Sequence, residues 1–398
     1  MTNENTSYSF GIEEEYYLVH TASRALVKDP PRRLISALKS AHGKSFSEEF
    51  MRSQIEIATP VCTSADEARA SLLELRHSIA RLARRHGLAP IAAATHPFTL
   101  WRHQRHRDSQ RYNAIADDFQ ALGRRMLICG LHVHIGVERP DDRIALMNDL
   151  RPYLPLFLAL SGSSPFWGGE STGLKSYRTA INDATPRKGI PEPFENWRAF
   201  ERTVGTLVDA GVIEDATKIW WDVRPSVRYP TLEVRIMDVC PLIEDTIAIT
   251  CLLRCLCRCL DRTRAGRRDT PVASLLVHEN RWRAQRYGLS QGLVDTEHGG
   301  LVAIGDLVDT ILDRIAEDAE FFGCLDEVEH VRTIVARGSS ADRQLARYET
   351  LLASGVTRGV ALAGVVDQLI EDTLSGVSSE HGGTHLDCHT GSAAAAAS

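Results

Sequence analysis

The stretch SFGIEEEYYLV, residues 9–19, places three adjacent glutamates, Glu13, Glu14 and Glu15, in a run that otherwise favours a β-strand. Side chains alternate across a strand, so Glu13 and Glu15 would project from one face, and Glu14 from the other with Ile12. Glu13 and Glu15 would then lie within about 7 Å of each other and repel. The stretch therefore predicts a strand whose polar face needs a positively charged partner.

Three further segments repeat this alternation of polar and apolar residues. The polar pairs are Gln54 and Glu56 in SQIEIAT, His132 and His134 in LHVHIGV, and Glu233 and Arg235 in PTLEVRIMDV. Strands of a doubly wound parallel sheet are apolar on both faces, whereas antiparallel strands commonly have one polar face. We therefore predict an α+β fold with a mostly antiparallel sheet.

Helical patterns surround these strands. Ser64 and Glu67 form a capping-box signature, and apolar residues at helical spacing follow from Ala68 to Leu82. From about residue 300 onward the pattern is helical. No long Pro/Gly linker and no internal repeat divides the chain, so we predict a single domain over residues 1–375.

Composition limits the classes of partner. The chain has 398 residues, 43% of them hydrophobic, and a net charge of -6, so neither nucleic acid nor an anionic membrane is expected as the main partner. Its start lacks the features of a signal peptide, and no apolar run is long enough to span a membrane. We expect a cytoplasmic protein, and an exposed sheet edge would allow a homodimer.

The cysteines and the C-terminal tail offer two other metal-site interpretations. Cys251, Cys255 and Cys259 would share one helix face, which could suggest a soft-metal site, but the apolar context favours cysteines acting as small hydrophobic residues. The segment 376–398 carries His381, His385, Cys388 and His389. Its Gly/Ser/Ala composition favours a disordered terminus over a metal site.

The clustered carboxylates suggest a hard divalent cation. Carboxylate oxygens with an occasional imidazole suit Mg²⁺ or Mn²⁺, and no thiolate lies among these pairs to suggest zinc. Such a site usually serves phosphate chemistry or activates water. Neither a P-loop nor a Rossmann glycine motif is present. Arg178, Arg224 and Arg235 could hold a carboxylate or phosphate through bidentate contacts.

Other interpretations of the same residues remain open at this point. The polar face could be the solvated side of an ordinary antiparallel sheet. An H-x-H strand with acidic residues also occurs in metal-dependent amidohydrolases, although that barrel needs eight strand-helix units, which the helical last 100 residues do not supply. A binding protein that has lost catalysis is a further alternative, but it predicts the loss of an acidic ligand.

Several motifs, taken together and in order, resemble one family. They are GIEEE, SQIEIATPVC, THPF, GLHVHIGV, ALSGSSPFW and WWDVRPSVRYPTLEVRIMD, spanning roughly residues 9–240. They resemble the type 2 glutamate-cysteine ligases, also described as ATP-dependent carboxylate-amine ligases. The resemblance implies a glutamine-synthetase-like fold, in which the antiparallel sheet forms an open funnel, helices pack outside, and the C-terminal part is helical.

The resemblance also implies roles for individual residues. The implied metal ligands are Glu13, Glu15, Glu49, Glu56, His132 and Glu233. Arg235 matches the arginine that approaches the transferred phosphate, and His132, His134 and Arg235 are implied to contact the nucleotide. Arg178 and Arg224 fall at positions suited to a substrate carboxylate. His134 departs from related ligases, which can carry an amide there.

The resemblance implies a reaction as well. ATP and Mg²⁺, or Mn²⁺, are the implied cofactors, and a small carboxylate and an amine, both amino acids, are the implied substrates. The carboxylate would attack the γ-phosphate to give an acyl phosphate, which the amine would convert to an amide. Glutamate-cysteine ligation giving γ-glutamylcysteine is one reaction of this class, and it could be a weak side activity.

Overall fold

The computed structural model describes residues 8–264 and 272–376. The predicted disordered segment 376–398 and its histidines and cysteine lie, apart from Gly376, outside these residues.

An antiparallel sheet is the centre of the described structure. Its strands are β1 (Phe10–His20), β2 (Phe46–Glu48), β3 (Gln54–Ala58), β4 (Leu88–Ile91), β5 (Leu131–Gly136), β10 (Val223–Pro225) and β11 (Thr231–Val234). Their order is β10-β11-β5-β1-β3-β2, and β4 pairs with the last part of β1. All these pairings are antiparallel and the sheet does not close. The prediction of an open, mostly antiparallel sheet is confirmed.

Short strand pairs lie outside the main sheet. They are β6 (Phe166–Trp167) with β7 (Glu170–Ser171), β8 (Lys188–Gly189) with β9 (Trp220–Trp221), and β12 (Leu293–Val294) with β13 (Leu301–Val302). The pairing of β8 with β9 is parallel.

Helices make up much of the remainder, and they dominate the C-terminal part as predicted. They are α1 (Arg32–His42), α2 (Ala65–Arg84), α3 (Gln110–Phe119), α4 (Pro140–Leu150), α5 (Leu154–Ser161), α6 (Tyr177–Asp183), α7 (Trp197–Asp209), α8 (Ile243–Thr263), α9 (Ser274–Tyr287), α10 (Ile304–Phe322), α11 (Leu325–Arg337), α12 (Ser340–Ala353) and α13 (Arg358–Thr373). None of them is long and apolar enough to span a membrane.

Helix α2 begins where the capping-box signature predicts. The side chain of Ser64 accepts a hydrogen bond from the backbone N–H of Glu67 at 3.2 Å. The carboxylate of Glu67 accepts one from the backbone N–H of Thr63 at 2.7 Å. The first contact satisfies a donor that the first turn of a helix leaves free, and the second fixes the residue before the N-cap.

Strands β4 and β11 end where neighbouring segments bind the backbone that follows them. After Ile91, the backbone N–H of Ala92 donates to Thr373 on α13 at 2.9 Å. After Val234, the N–H groups of Arg235 and Ile236 both donate to the carbonyl of Asp222, at 2.8 and 3.1 Å. Arg235 therefore lies just beyond β11 and not within a strand.

The side of β1 that faces the helices contains a buried ion pair. Glu14 is fully buried there, and both of its carboxylate oxygens accept hydrogen bonds from Arg76 on α2, at 2.6 and 3.0 Å. Thr246 on α8 donates to the same carboxylate at 2.9 Å. Arg76 also donates to backbone carbonyls of Pro241, Cys240 and Thr373. Of the three adjacent glutamates, the middle one thus joins β1 to the helical layer.

The cysteines of α8 lie in the hydrophobic core. Cys251, Cys255, Cys257 and Cys259 are all at most 2% exposed and are free thiols. The Sγ atoms of Cys255 and Cys324 are 3.5 Å apart. These residues pack as small apolar side chains, as the apolar context predicts.

Candidate functional site

The polar face of the sheet brings the predicted acidic residues together. In the strand register, Glu13 lies opposite His132, Glu15 opposite Glu56, and Glu233 opposite His134. Residues directly opposite each other in an antiparallel pair project from the same face. Four neighbouring strands therefore place their polar side chains on one surface, which we call the acidic face. Its members on these strands are Glu13, Glu15, Glu56, His132, His134 and Glu233, and Glu49 joins them from the residue after β2.

Three groups on the acidic face bring their ligand atoms within 4.8 Å of one another. The groups are Glu13 with His134 and Glu233, Glu13 with Glu56 and His132, and Glu15 with Glu49 and Glu56. Glu13 belongs to the first two groups and Glu56 to the last two, so the groups form a row across the sheet. Every predicted metal ligand belongs to at least one of them.

Glu13 lies between two imidazoles. Its carboxylate oxygens are 3.3 Å from Nδ1 of His132 and 3.4 Å from Nε2 of His134. Burial alone would raise the pKa of Glu13, but the hydrogen bonds from the two histidines outweigh it and hold that pKa well below its usual range. Burial lowers the pKa of His132. A neutral His132 that donates from Nδ1 keeps the lone pair on Nε2 for a metal ion.

In the part of the chain that the structure describes, the carboxyl groups of the third group form no ion pair. Burial raises the pKa of Glu49 to about 8, and the charge of Glu15 adds to the effect. The pKa of Glu56 is raised well above its usual value by burial and by the charges of Glu49 and Glu13. Carboxylate oxygens this close to one another are suitable ligands for a hard divalent cation, whose charge would offset their repulsion. The donor set fits Mg²⁺ or Mn²⁺.

Glu233 differs from the other acids because two arginines hold it. Arg224 lies opposite Glu233 in the register and donates from Nε at 2.8 Å and from Nη2 at 3.3 Å. Arg235 forms a further ion pair with the same carboxylate. Burial alone would raise the pKa of Glu233, but the charges of the two arginines hold it well below its usual range. Arg235 thus lies beside one of the predicted metal ligands.

Arg178 reaches the same region from α6. Its guanidinium donates to the backbone carbonyls of Ile236 and Arg235, at 3.1 and 3.0 Å. Gly130 makes room for it, because a Cβ there would lie 2.4 Å from Nη2 of Arg178 and 3.1 Å from Nε2 of His132. Arg178 therefore supports the backbone that carries Arg235. Its contact with a substrate stays a prediction, as does that of Arg224.

Lys188 on β8 joins this region, although the sequence contains no signal that marks it. Its Nζ lies 5.0 Å from the ring centroid of Trp220 on the paired strand β9. Within residues 8–264 and 272–376 its ammonium group forms no hydrogen bond or ion pair. Burial, together with the charges of Arg235 and Arg178, holds the pKa of Lys188 well below its usual value. An anionic substrate group would find an unpaired amine here.

Comparison with known proteins identifies the family. The family model described as glutamate-cysteine ligase family 2 matches residues 9–368. The chain belongs to this family. A relative from Rhodospirillum rubrum, provisionally named glutamate-cysteine ligase 2, is 49% identical over 381 residues, covering 94% of this chain and 98% of the relative. A relative from Jannaschia sp. with the same provisional name is 45% identical, with coverage of 93% and 98%.

Solved structures share the fold at low sequence identity. A glutamate-cysteine ligase from Francisella tularensis, in complex with AMP, matches with a TM-score of 0.67 at 13% identity and covers 93% of this chain and 90% of that one. A bifunctional glutathione synthetase from Pasteurella multocida matches with a TM-score of 0.67 at 14% identity, covering 92% of this chain and 52% of that one. These matches confirm the predicted glutamine-synthetase-like fold class. The open antiparallel sheet gives no support to the amidohydrolase alternative.

Proposed function

We propose that the protein is an ATP-dependent carboxylate-amine ligase of the ADP-forming type, which makes an amide through an acyl phosphate. The observation that carries this proposal is the row of three ligand groups on the acidic face, next to Arg235. Phosphoryl transfer depends mainly on positioning and on neutralising charge, which such a row provides. Membership of the glutamate-cysteine ligase family 2 supports the same reaction class.

The proposed metal site uses the acidic face. Glu13, Glu15, Glu49, Glu56, His132 and Glu233 would hold Mg²⁺ or Mn²⁺, with His134 at the end of the row. When bound, the cation would neutralise negative charge on the phosphate oxygens of ATP. The family and the chemistry of these ligands support the proposal that the protein binds ATP and this metal.

The chain's own residues would position the reacting groups. Arg235 lies beside Glu233, where its guanidinium would stabilise the charge of the phosphoryl group during transfer. Arg224 and Arg178 would orient the substrate carboxylate so that its oxygen faces the γ-phosphate. His132 and His134 would contact the nucleotide phosphates. The acyl phosphate then loses phosphate when the amine attacks its carbonyl carbon.

The proposed substrates are amino acids. The provisional names of the relatives point to glutamate as the acid and cysteine as the amine, which would give γ-glutamylcysteine. The cytoplasm, where ATP and free amino acids occur together, is the proposed compartment. A homodimer across a sheet edge stays a prediction.

The test is release of ADP and phosphate from purified protein supplied with Mg²⁺ and ATP and a panel of amino acids as acids and amines. We expect ADP release that requires both an acid and an amine, and a product whose mass equals their sum less water. The matched control is Arg235→Lys, which keeps the positive charge but not the planar fork. Turnover of ATP that no acid-amine pair stimulates, or AMP as the product, would contradict the proposal.

A further inference from the structure

A cavity lies on the opposite side of the β10–β11 hairpin from the acidic face. Its volume is about 560 Å³, within the range of small-molecule sites, and it lies between α4, α7 and the turn after β10. Arg224 and Pro225 are neighbours on β10, so their side chains point to opposite faces. Pro225 lines this cavity, whereas Arg224 binds Glu233 on the acidic face. The cavity is therefore distinct from the proposed catalytic site.

The cavity wall is largely apolar. Aromatic and aliphatic side chains of α7 form much of it, and they are Trp197, Phe200, Val204 and Val208. Phe200 is buried, but Val208 is 37% exposed, so the wall is open to solvent on one side. An apolar wall of this size would accommodate a large apolar group of a ligand.

A buried arginine without a partner lines the same cavity. Arg143 on α4 is only 8% exposed, and its Nε is buried with no hydrogen-bond partner. Its guanidinium lies 5.1 Å from the ring centroid of Trp197. In the part of the chain that the structure describes, the Arg143 side chain forms no hydrogen bond or ion pair. A buried cation without an anion is unfavourable, so the arrangement points to an anionic group supplied by a ligand.

Acidic residues at the rim of the cavity restrict the charge that its ligand can carry. Glu138, Glu201 and Asp209 line the cavity and are exposed. They would repel a ligand with several negative charges, such as a nucleotide, and attract an ammonium group. Burial lowers the pKa of Arg143, and the charge of Glu138 opposes this shift without forming an ion pair with the guanidinium in the described residues.

We propose that this cavity binds an α-amino acid with a large apolar side chain. The carboxylate would pair with Arg143, the ammonium group would face Glu138, and the side chain would pack against Trp197 and Phe200. A guanidinium that stacks on an aromatic ring is well placed to hold a carboxylate through two parallel hydrogen bonds. The site requires neither ATP nor the ligase reaction.

The test compares three ligands on the wild-type protein, without metal or nucleotide. L-phenylalanine carries all three groups, 3-phenylpropionate lacks the ammonium group, and phenethylamine lacks the carboxylate. We expect L-phenylalanine to bind most tightly and phenethylamine at least about tenfold more weakly, measured by equilibrium dialysis and by tryptophan fluorescence, since Trp197 lines the cavity. Equal binding of phenethylamine and L-phenylalanine, or no binding of any of the three, would overturn the proposal.

Variants assign the contacts. Arg143→Met keeps an unbranched side chain over Trp197 and should weaken L-phenylalanine binding about 10- to 100-fold. Arg139→Met is the matched control, because Arg139 precedes the same helix, has a side chain that is 67% exposed and should leave affinity unchanged. Glu138→Gln should weaken L-phenylalanine but not 3-phenylpropionate. An Arg143→Met protein that is folded by circular dichroism and binds L-phenylalanine as the wild type does would refute the site.

Discussion

Glu14 and Glu15 are adjacent in sequence, yet their replacement by glutamine should change stability in opposite directions. Glu15 has a ligand atom within 4.8 Å of Glu49 and of Glu56, and no cation pairs with this group in the described structure. Glu14 is fully buried and held by Arg76 through two hydrogen bonds, at 2.6 and 3.0 Å. One glutamate is therefore repelled by its neighbours, and the other is attracted.

The expected magnitudes follow from these distances. Two carboxylates 4.8 Å apart repel by about 3.5 kcal/mol at an effective dielectric constant of about 20. Local rearrangement reduces this, so Glu15→Gln should raise the free energy of unfolding of the metal-free protein by about 1–3 kcal/mol. The glutamine oxygen still accepts the hydrogen bond that Gly130 donates to Glu15. Glu14→Gln should lower that free energy by about 3–5 kcal/mol, because it leaves the buried guanidinium of Arg76 without its counter-charge.

The gain from Glu15→Gln should depend on pH. The pKa of Glu49 is raised from its ordinary 4.5 to about 8, so the folded protein holds a proton there that the unfolded chain has lost. Stability from that proton is fully present below pH 4.5 and is lost as pH rises through about 8. Repulsion between Glu15 and Glu49 is then complete only above pH 8. The benefit of the substitution should be larger at pH 9 than at pH 6.

The assay is urea unfolding followed by circular dichroism, at both pH values, with EDTA and with Mg²⁺. Mg²⁺ should stabilise the wild type and Glu14→Gln, because both keep the acidic face, and should stabilise Glu15→Gln much less. Loss of stability in Glu15→Gln in EDTA, or an undiminished effect of Mg²⁺ on it, would refute the assignment of Glu15 to a metal group.

Three further outcomes are expected. Gly130→Ala should lower ATP turnover at least tenfold, since the added Cβ would displace Arg178 and His132, while the circular dichroism spectrum changes little. Steady-state kinetics measures the turnover, and full turnover would contradict the prediction. Lys188→Met should raise the KM for the acid substrate more than it lowers kcat, whereas Lys188→Arg should recover part of the loss; an unchanged KM in both would remove Lys188 from the site. His96 is buried and its pKa is lowered from 6.5 to about 4. Its contribution to the free energy of unfolding is therefore fully present above pH 6.5, and up to about 3 kcal/mol is lost as pH falls to about 4. Urea unfolding of His96→Asn should lack this pH dependence.

Much of the acidic face could be predicted from the sequence because it depends on a local rule. Side chains alternate along a strand, so polar residues at every second position of β1, β3 and β5 must share a face once those strands form. Family motifs then place those strands in one sheet. The same rule separates Glu14 from its neighbours, but it does not say what Glu14 binds.

Contacts between distant segments required the tertiary structure. Arg76, 62 residues from Glu14, neutralises it only because α2 packs on the helix side of β1. Glu233 resembles Glu13 and Glu15 in sequence context, yet pairing of β10 with β11 gives it an arginine partner, whereas neither of the other two forms an ion pair with an arginine in the described residues. Lys188 is placed beside Trp220 by a two-residue strand pair that leaves no periodic signal.

The sequence by itself thus determined which residues share a face of the sheet, since that depends on backbone geometry repeated every two residues. Only the tertiary structure decided which charges are paired. The unpaired Arg143 and the cavity that it lines arise where α4, α7 and the β10–β11 turn meet. Charge pairing depends on distances of a few ångströms between residues far apart in the chain, and no local pattern encodes those distances.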